Sequence, residues 1–132
     1  MQGDEIMVAK GLLYTKEHEW AKVEGDIATI GITDHAQDQL GELTFVDLPE
    51  IGKEVKQNGE LSAVESSKAA NDVYSPVTGK VIEVNEGLKS KPEMINDDCY
   101  GAGWICKIRI TDTASTKNLM DATQYEEYLK GL

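Results

Sequence analysis

Apolar and polar residues trade places over short distances in this chain. Gly, Pro, Asn or Asp interrupts the pattern roughly every eight to twelve residues, the spacing of a small sandwich or barrel of short strands. WAKV (Trp20 to Val23), the turn Glu24-Gly25-Asp26 and IATIGI (Ile27 to Ile32) read as a hairpin, with Trp20, Ile30 and Ile32 as candidate core contacts. Further strands are predicted over LTFVDLP (Leu43 to Pro49), KEV (Lys53 to Val55), ELSAVE (Glu60 to Glu65), NDVYS (Asn71 to Ser75), KVIEV (Lys80 to Val84) and WICKIRI (Trp104 to Ile110). The last sets Trp104, Cys106, Ile108 and Ile110 on one side and Lys107 and Arg109 on the other, as a half-buried strand does. Cys106 is therefore expected in the core.

Two segments break the two-residue period. In TDHAQDQLG, Thr33 or Asp34 can accept from the free amides of a first helical turn, Gln37 stands three after Asp34 as in a capping box, and Gly41 can stop the helix. DATQYEEYLKGL offers Asp121 or Thr123 as a cap, Tyr125, Tyr128 and Leu129 at helical spacing, and Gly131 as terminator. The class expected is mainly β with short flanking helices. A weak echo also runs through the middle: GKEVKQNGEL (Gly52 to Leu61) and GKVIEVNEGL (Gly79 to Leu88) nearly bracket Lys68, as two like half-domains joined at an exposed turn would.

At 132 residues the chain is long enough for one domain with a proper core. Its formal charge of -11 repels nucleic acid and anionic membrane, and suits partners with basic docking surfaces. The opening MQGDEIMVAKGLL resembles neither a secretory signal nor an Arg-rich transit peptide, which leads to the expectation of a bacterial cytoplasmic protein, with a mature mitochondrial matrix protein as the lesser alternative. Cys99 and Cys106 are spaced for neither a redox pair nor a zinc knuckle and read as free thiols.

Candidate chemistry centres on VESSKAANDVYSP (Val64 to Pro76), where one lysine stands between serines and alanines with extended residues on either side. Alternation puts Leu61, Ala63 and Glu65 on one face of the incoming strand and Ser62, Val64 and Ser66 on the other. Ser66, Ser67, Ala69 and Ala70 leave the Lys68 ammonium open. A Schiff-base lysine needs the reverse, an apolar pocket that removes it from water. No residues beside Lys68 form one, so an imine-forming enzyme is the weaker alternative and a solvated turn lysine the plainer one. His18 and His35 lie in different elements and read as structural or surface residues, and no nucleophile elbow, HExxH or phosphate loop is present. Glu17 and Glu19 flank His18 in EHEW, which can line a cleft or form a solvated edge.

VESSKAANDVYSPVTGKV closely resembles the lipoyl attachment hairpin. Together with KEHEW, IGITDHAQDQLGELTFVDLPEIG, VIEVNEGL, INDD, YGAGWICKIRI and EEYLK, in that order and spacing, the chain is similar to the glycine cleavage system H protein family over nearly its whole length. The lipoyl domains of 2-oxo acid dehydrogenase complexes share the hairpin but lack the EHEW and GITDHAQ segments, and biotinyl domains usually carry Met on both sides of the lysine. The resemblance implies a lipoyl-type β-sandwich, or barrel-sandwich hybrid, with its lipoyl core over about residues 27–110 and a C-terminal helix over about 121–130 of one domain, 1–132.

It further implies a non-catalytic carrier with lipoate joined to Lys68 through an amide, which removes the charge of that residue. The arm reaches on the order of a dozen Å from covalent dimensions, and tethering replaces repeated diffusive capture by a high local concentration. The implied partners are the decarboxylating P protein, the aminomethyltransferase (T protein), dihydrolipoamide dehydrogenase (L protein) and a lipoate-attaching enzyme. Glu65 and Gly79 match family positions linked to recognition by the lipoylating enzyme, and Glu19 and Asp72 match residues near the cleft that shelters the loaded arm. An H-like carrier used for lipoate relay is the alternative within this family. Ser67 departs from the usual Val, and Cys99 from the usual Pro or small residue; an exposed Cys99 would be able to exchange with the lipoyl disulfide.

Overall fold

The computed structural model describes residues 6–132; the leading MQGDE of the segment read for targeting signals lies outside the described residues. Two antiparallel sheets face each other. The larger has the order β1 (Leu13–Tyr14), β2 (Glu19–Glu24), β3 (Ile27–Ile32), β9 (Cys106–Asp112), β8 (Thr78–Val84) and β5 (Glu54–Val55). The smaller has the order β4 (Leu43–Asp47), β6 (Glu60–Ser66) and β7 (Ala70–Tyr74). The mainly β expectation is met, and the additions are the two-residue β1, a helix α2 (Met94–Asp97) and 3-10 turns over Glu86–Lys89 and Thr113–Asn118. These carry too few residues to show a period. None of the described helices is long and apolar enough to cross a membrane.

Between the sheets, Ile30, Val81, Cys106 and Ile108 of the larger meet Val46, Val64 and Val73 of the smaller in one apolar core. The hairpin β2–β3 closes through Gly25, whose φ of 65° is open to glycine at little cost, with Glu24 still paired to Ile27. On β9, Cys106, Ile108 and Ile110 turn inward as their alternation predicts. Trp104 does not join them: it precedes the strand, and its half-buried ring lies in a separate aromatic cluster, while Ile105 is buried in the main core instead. Trp20 likewise parts from Ile30 and Ile32. It packs with Tyr14 and Tyr125, where its Nε1–H finds the carbonyls of Ile32 and Cys99, each at 3.0 Å. A buried indole needs such acceptors, which the strand pattern alone does not supply.

Helix α1 (Asp34–Leu40) starts at Thr33, whose hydroxyl accepts from the Ala36 amide at 3.2 Å. Gln37 does not complete a capping box; its side chain donates to Asp34 Oδ1 and accepts from Asn96 Nδ2. Asp121 and Gln124 do form the full reciprocal box at the start of α3 (Ala122–Lys130). The echoing segments meet directly. Glu54 pairs with Lys80 and Val55 with Gly79, and Val81 N–H donates to Lys53 O. Because Lys53 matches Lys80 and Glu54 matches Val81 in the echo, the Glu54–Lys80 and Lys53–Val81 contacts exchange under a local twofold between them.

Helix α3 is fastened by the buried Tyr125 hydroxyl and, at the surface, by the Tyr128 hydroxyl, which donates to Lys16 O at 3.2 Å. Tyr125 stacks on Tyr14 with ring centroids 4.5 Å apart, and its OH lies 2.8 Å from both His18 Nδ1 and Thr33 Oγ1. Burial, then the nearby His35 ring, push the His18 imidazole down to about 4, so near neutral pH Nδ1 can accept from Tyr125 while Tyr125 accepts from Thr33. Tyr125→Phe removes the partner of His18 Nδ1 and of the Thr33 hydroxyl hydrogen and is expected to lower unfolding stability by about 1–3 kcal/mol. Urea denaturation of the two proteins at pH 7.5 checks this, and equal midpoints and slopes would contradict it.

Candidate functional site

The β6–β7 hairpin is built to end sharply. Val64 pairs with Asn71 and Glu65 with Ala70, and Ser66 N–H closes the ladder on Ala69 O at 2.8 Å. The Ser66 hydroxyl then accepts from the Ala69 amide at 3.2 Å and from the Lys68 amide at 3.4 Å, so one small side chain organises the turn. Ser67 and Lys68 form its exposed tip. The predicted alternation is right for Ser62 and Val64, which face inward, but Leu61 is buried too. A bulge between Glu60 and Ser62 breaks the two-residue period there and turns Leu61 into the core.

Edge strand β4 supports the hairpin from one side. Leu43 pairs with Ser66, Phe45 with Glu65 and Val46 with Val64. Glu65 is exposed beside Phe45, three residues before the lysine, and Asp72 is exposed opposite Ala63. Gly79 belongs to the other sheet. It is buried between Val55 and Ile110, and a Cβ there would run into the Arg109 carbonyl oxygen and come within 2.7 Å of Ile108 Cγ2. Close backbone approach alone therefore accounts for glycine at this position.

Glu19 is the member of the predicted set whose environment differs most from a sequence reading. It is 2 % exposed. Its Oε1 accepts from the Thr15 hydroxyl at 2.5 Å and its Oε2 from the Tyr74 amide at 3.0 Å, so it bridges β2 to the return strand of the lysine hairpin. Burial pushes its carboxyl up to about 7; the Thr15 and Tyr74 hydrogen bonds oppose the shift and the charge of Glu17 adds to it. Beside it opens a cleft of about 430 Å³ lined by Thr15, Lys16, Glu17, Tyr74 and Met120, a size suited to a small ligand. The Tyr74 phenol is pushed up first by Asp72, then by burial and by Glu60, Glu17 and Glu19, which marks the mouth as negative. Glu19 and Asp72 thus both act on one residue, Tyr74, which no sequence pattern singled out.

The cysteines are not part of this site. Both are free and buried, with thiols pushed up to about 12 by burial, so Cys99 does not have the exposure that exchange with a disulfide requires. His18 and His35 meet with ring centroids 4.4 Å apart and planes tilted by 36°, and His18 lies against Tyr125 and Tyr128 of α3. Among the described residues no three His, Cys, Asp or Glu side chains converge as a metal site. Lys68 fits a covalently attached group on its own terms. Its amine is primary and exposed, Ser67 and Ala69 are small, and beneath its stem Gly41 has no side chain.

The raised Glu19 carboxyl has a signed consequence. Below its ordinary value of 4.5 the group is protonated whether the chain is folded or not; between 4.5 and about 7 the folded chain keeps a proton that the unfolded chain has released. Its contribution to stability is therefore present at low pH and lost as pH rises through that window. Relative to Glu19→Gln, the wild type is expected to lose melting temperature progressively from pH 4.5 to 7 and to show a constant offset above it. A difference between the two proteins that does not change with pH would contradict the assignment.

The glycine cleavage H-protein family model matches residues 12–132. A glycine cleavage system H protein of Symbiobacterium thermophilum is 52% identical over 123 residues, covering 93% of this chain and 96% of that protein. A probable glycine cleavage system H protein of Pyrococcus abyssi is 55% identical over 130 residues, covering 97% and 96%. The crystal structure of a glycine cleavage system H protein from Mycobacterium marinum superposes with a TM-score of 0.85 at 34% identity, covering 95% of this chain and 100% of that one. With the exposed lysine hairpin, the buried Glu19 and the two-sheet frame in place, the chain belongs to the glycine cleavage H-protein family.

Proposed function

We propose that Lys68 carries lipoate in amide linkage and that the chain works in the cytoplasm as a non-catalytic carrier among the P, T and L proteins of glycine cleavage. The observation that carries this reading is a single primary amine held at the tip of a closed hairpin, with small neighbours, in a chain of the H-protein family. Lipoate held on Lys68 would supply a disulfide that can be reduced as one sulfur takes up the aminomethyl group left when glycine loses CO2 on the P protein, and, after that group passes to the T protein, a dithiol for the L protein to reoxidise.

Each residue of the site has a task in this reading. Ser66 holds the turn so that the Lys68 amine projects to an acyl donor, and Glu65, on the same exposed end, marks the hairpin for the lipoate-attaching enzyme together with the close approach of β8 and β9 that Gly79 allows. Asp72 stands two residues into β7, roughly 7 Å from the start of that strand at about 3.3 Å per residue. Glu19 and Asp72 hold a cationic amine at the mouth of the cleft. Glu19 is suited to this because a carboxyl near 7 is drawn into its ionised form when a cation docks beside it. The cleft walls limit water around that amine, which slows its loss.

Intact mass after expression in a lipoylating host tests the attachment. A gain of one lipoyl group confined to the Lys68 peptide is expected, and none in Lys68→Arg, with unchanged far-ultraviolet circular dichroism. No gain, combined with borohydride trapping of a carbonyl compound on Lys68, would favour an imine enzyme. The modified chain should support glycine–CO2 exchange by the P protein; lipoyl transfer without exchange would point to lipoate relay instead. For the cleft, Glu19→Gln should at least double the rate at which the aminomethyl-loaded protein releases formaldehyde, and an unchanged half-life removes Glu19 from this role.

A further inference from the structure

Across from the attachment lysine lies Gly41, the residue that ends α1. Leu43 pairs with Ser66 in the β4–β6 ladder, and continuing that antiparallel register past the strand ends sets Gly41 opposite Lys68. Side-chain geometry agrees with the register. A Cβ on Gly41 would lie 3.2 Å from Lys68 Cε, 3.9 Å from Cδ and 3.8 Å from Nζ. The lysine stem therefore crosses the bare backbone of residue 41.

Two further features keep this bed in shape. Gly41 has φ 80° and ψ -167°, a conformation essentially restricted to glycine, and its amide closes α1 on Gln37 O at 3.0 Å. Asn96 donates to the Gly41 carbonyl at 2.9 Å and accepts from the Leu43 amide at 2.9 Å, so a side chain on the opposite wall pins the bed and the start of β4 together. Gly25 and Gly52 also have positive φ, 65° and 99°, but a Cβ on either would meet nothing within 4 Å. Among these three glycines, Gly41 alone has a lysine lying on it.

We infer that Gly41 is a positioning residue for acylation of Lys68: its bare backbone seats the lysine stem between the end of α1 and the hairpin tip and fixes the direction in which the amine meets its acyl donor. The reaction is acyl transfer. The neutral ε-amine attacks the carbonyl of an acyl adenylate, the new C–N amide bond forms as the acyl C–O bond to phosphate breaks, AMP leaves, and the amine gives up a proton to solvent. Gly41 takes no part in these bonds. It restricts the orientations that the four-carbon stem samples before them, which lowers the ordering cost of docking. The inference rests on Lys68 being the lipoylated residue.

The test is steady-state lipoylation of the unmodified chain by a lipoate-attaching enzyme supplied with lipoate and ATP. Gly41→Ala is compared with Gly52→Ala, which carries a similar backbone penalty without a lysine contact. We expect Gly41→Ala to lower kcat/KM by about tenfold, mainly through KM, and Gly52→Ala to change it by less than twofold. Equal losses in both variants, or none in a folded Gly41→Ala, would overturn the inference. Proton NMR of the unmodified wild type keeps it decidable if Gly41→Ala does not fold: a nuclear Overhauser effect between Gly41 Hα and Lys68 Hε is expected, and its absence overturns the proposal. Failure of the wild type to be modified at Lys68 would instead remove the functional reading on which the inference stands.

Discussion

The register of the small sheet constrains everything the molecule presents. Val46, Val64 and Val73 turn into the core from three neighbouring strands, and a slip of one residue would send them outward and draw Glu65 in. With the register fixed, Ser66 and Ala69 must close the ladder and Lys68 must fall in the two-residue tip, while the irregularity between Leu43 and Phe45 shifts β4 so that Gly41 rather than Glu42 lies across from it. The lysine is therefore placed by buried valines it never touches. That division suits a residue whose own surroundings have to stay open.

A second constraint joins this sheet to the larger one. The Tyr74 amide needs an acceptor at the end of β7, and the acceptor is a carboxyl taken from β2 and buried for the purpose. Burying Glu19 costs desolvation, which its raised proton affinity records. Two hydrogen bonds offset part of that cost and hold the carboxyl at the side of the cleft. A group kept near neutrality by its surroundings, yet able to ionise, is better matched to a transient cation than a carboxylate already paired with a lysine or arginine.

Elements with a sustained period were legible in the sequence. The alternation of β9, the β2–β3 hairpin and the Asp121 cap follow from local chemistry, and so does the openness of Lys68, because small residues cannot shield it. What was hidden depends on partners far along the chain. The bulge that buries Leu61 is a property of pairing with β7, the indole of Trp20 is placed by carbonyls at Ile32 and Cys99, and the His18–Tyr125–Thr33 chain joins three separate segments. Asp72 was singled out only through family resemblance, and the EHEW pattern left Glu19 open between a cleft and a solvated edge, since nothing local distinguishes a carboxylate that will be buried from one that will be solvated. Tyr74 left no signal because it contributes a backbone amide, and Gly41 already had a sufficient explanation as a helix stop.

The central strand pairing of the larger sheet bears on how the chain is made. β3 has β9 as its inner neighbour, and β1 finds its outer partner only at Met120. On a ribosome, residues of the lysine hairpin emerge well before either partner exists, and they can pair locally while β3 still waits with one edge open. The last helix to appear carries Tyr125, which completes the aromatic cluster around Tyr14 and Trp20. Closure is thus a late event that joins the beginning of the chain to its end, and long-range pairings of this kind fold slowly. A nascent chain stalled short of α3 would show its lysine hairpin on an unfinished frame, so vectorial synthesis itself delays the moment at which the frame and its lysine are both complete.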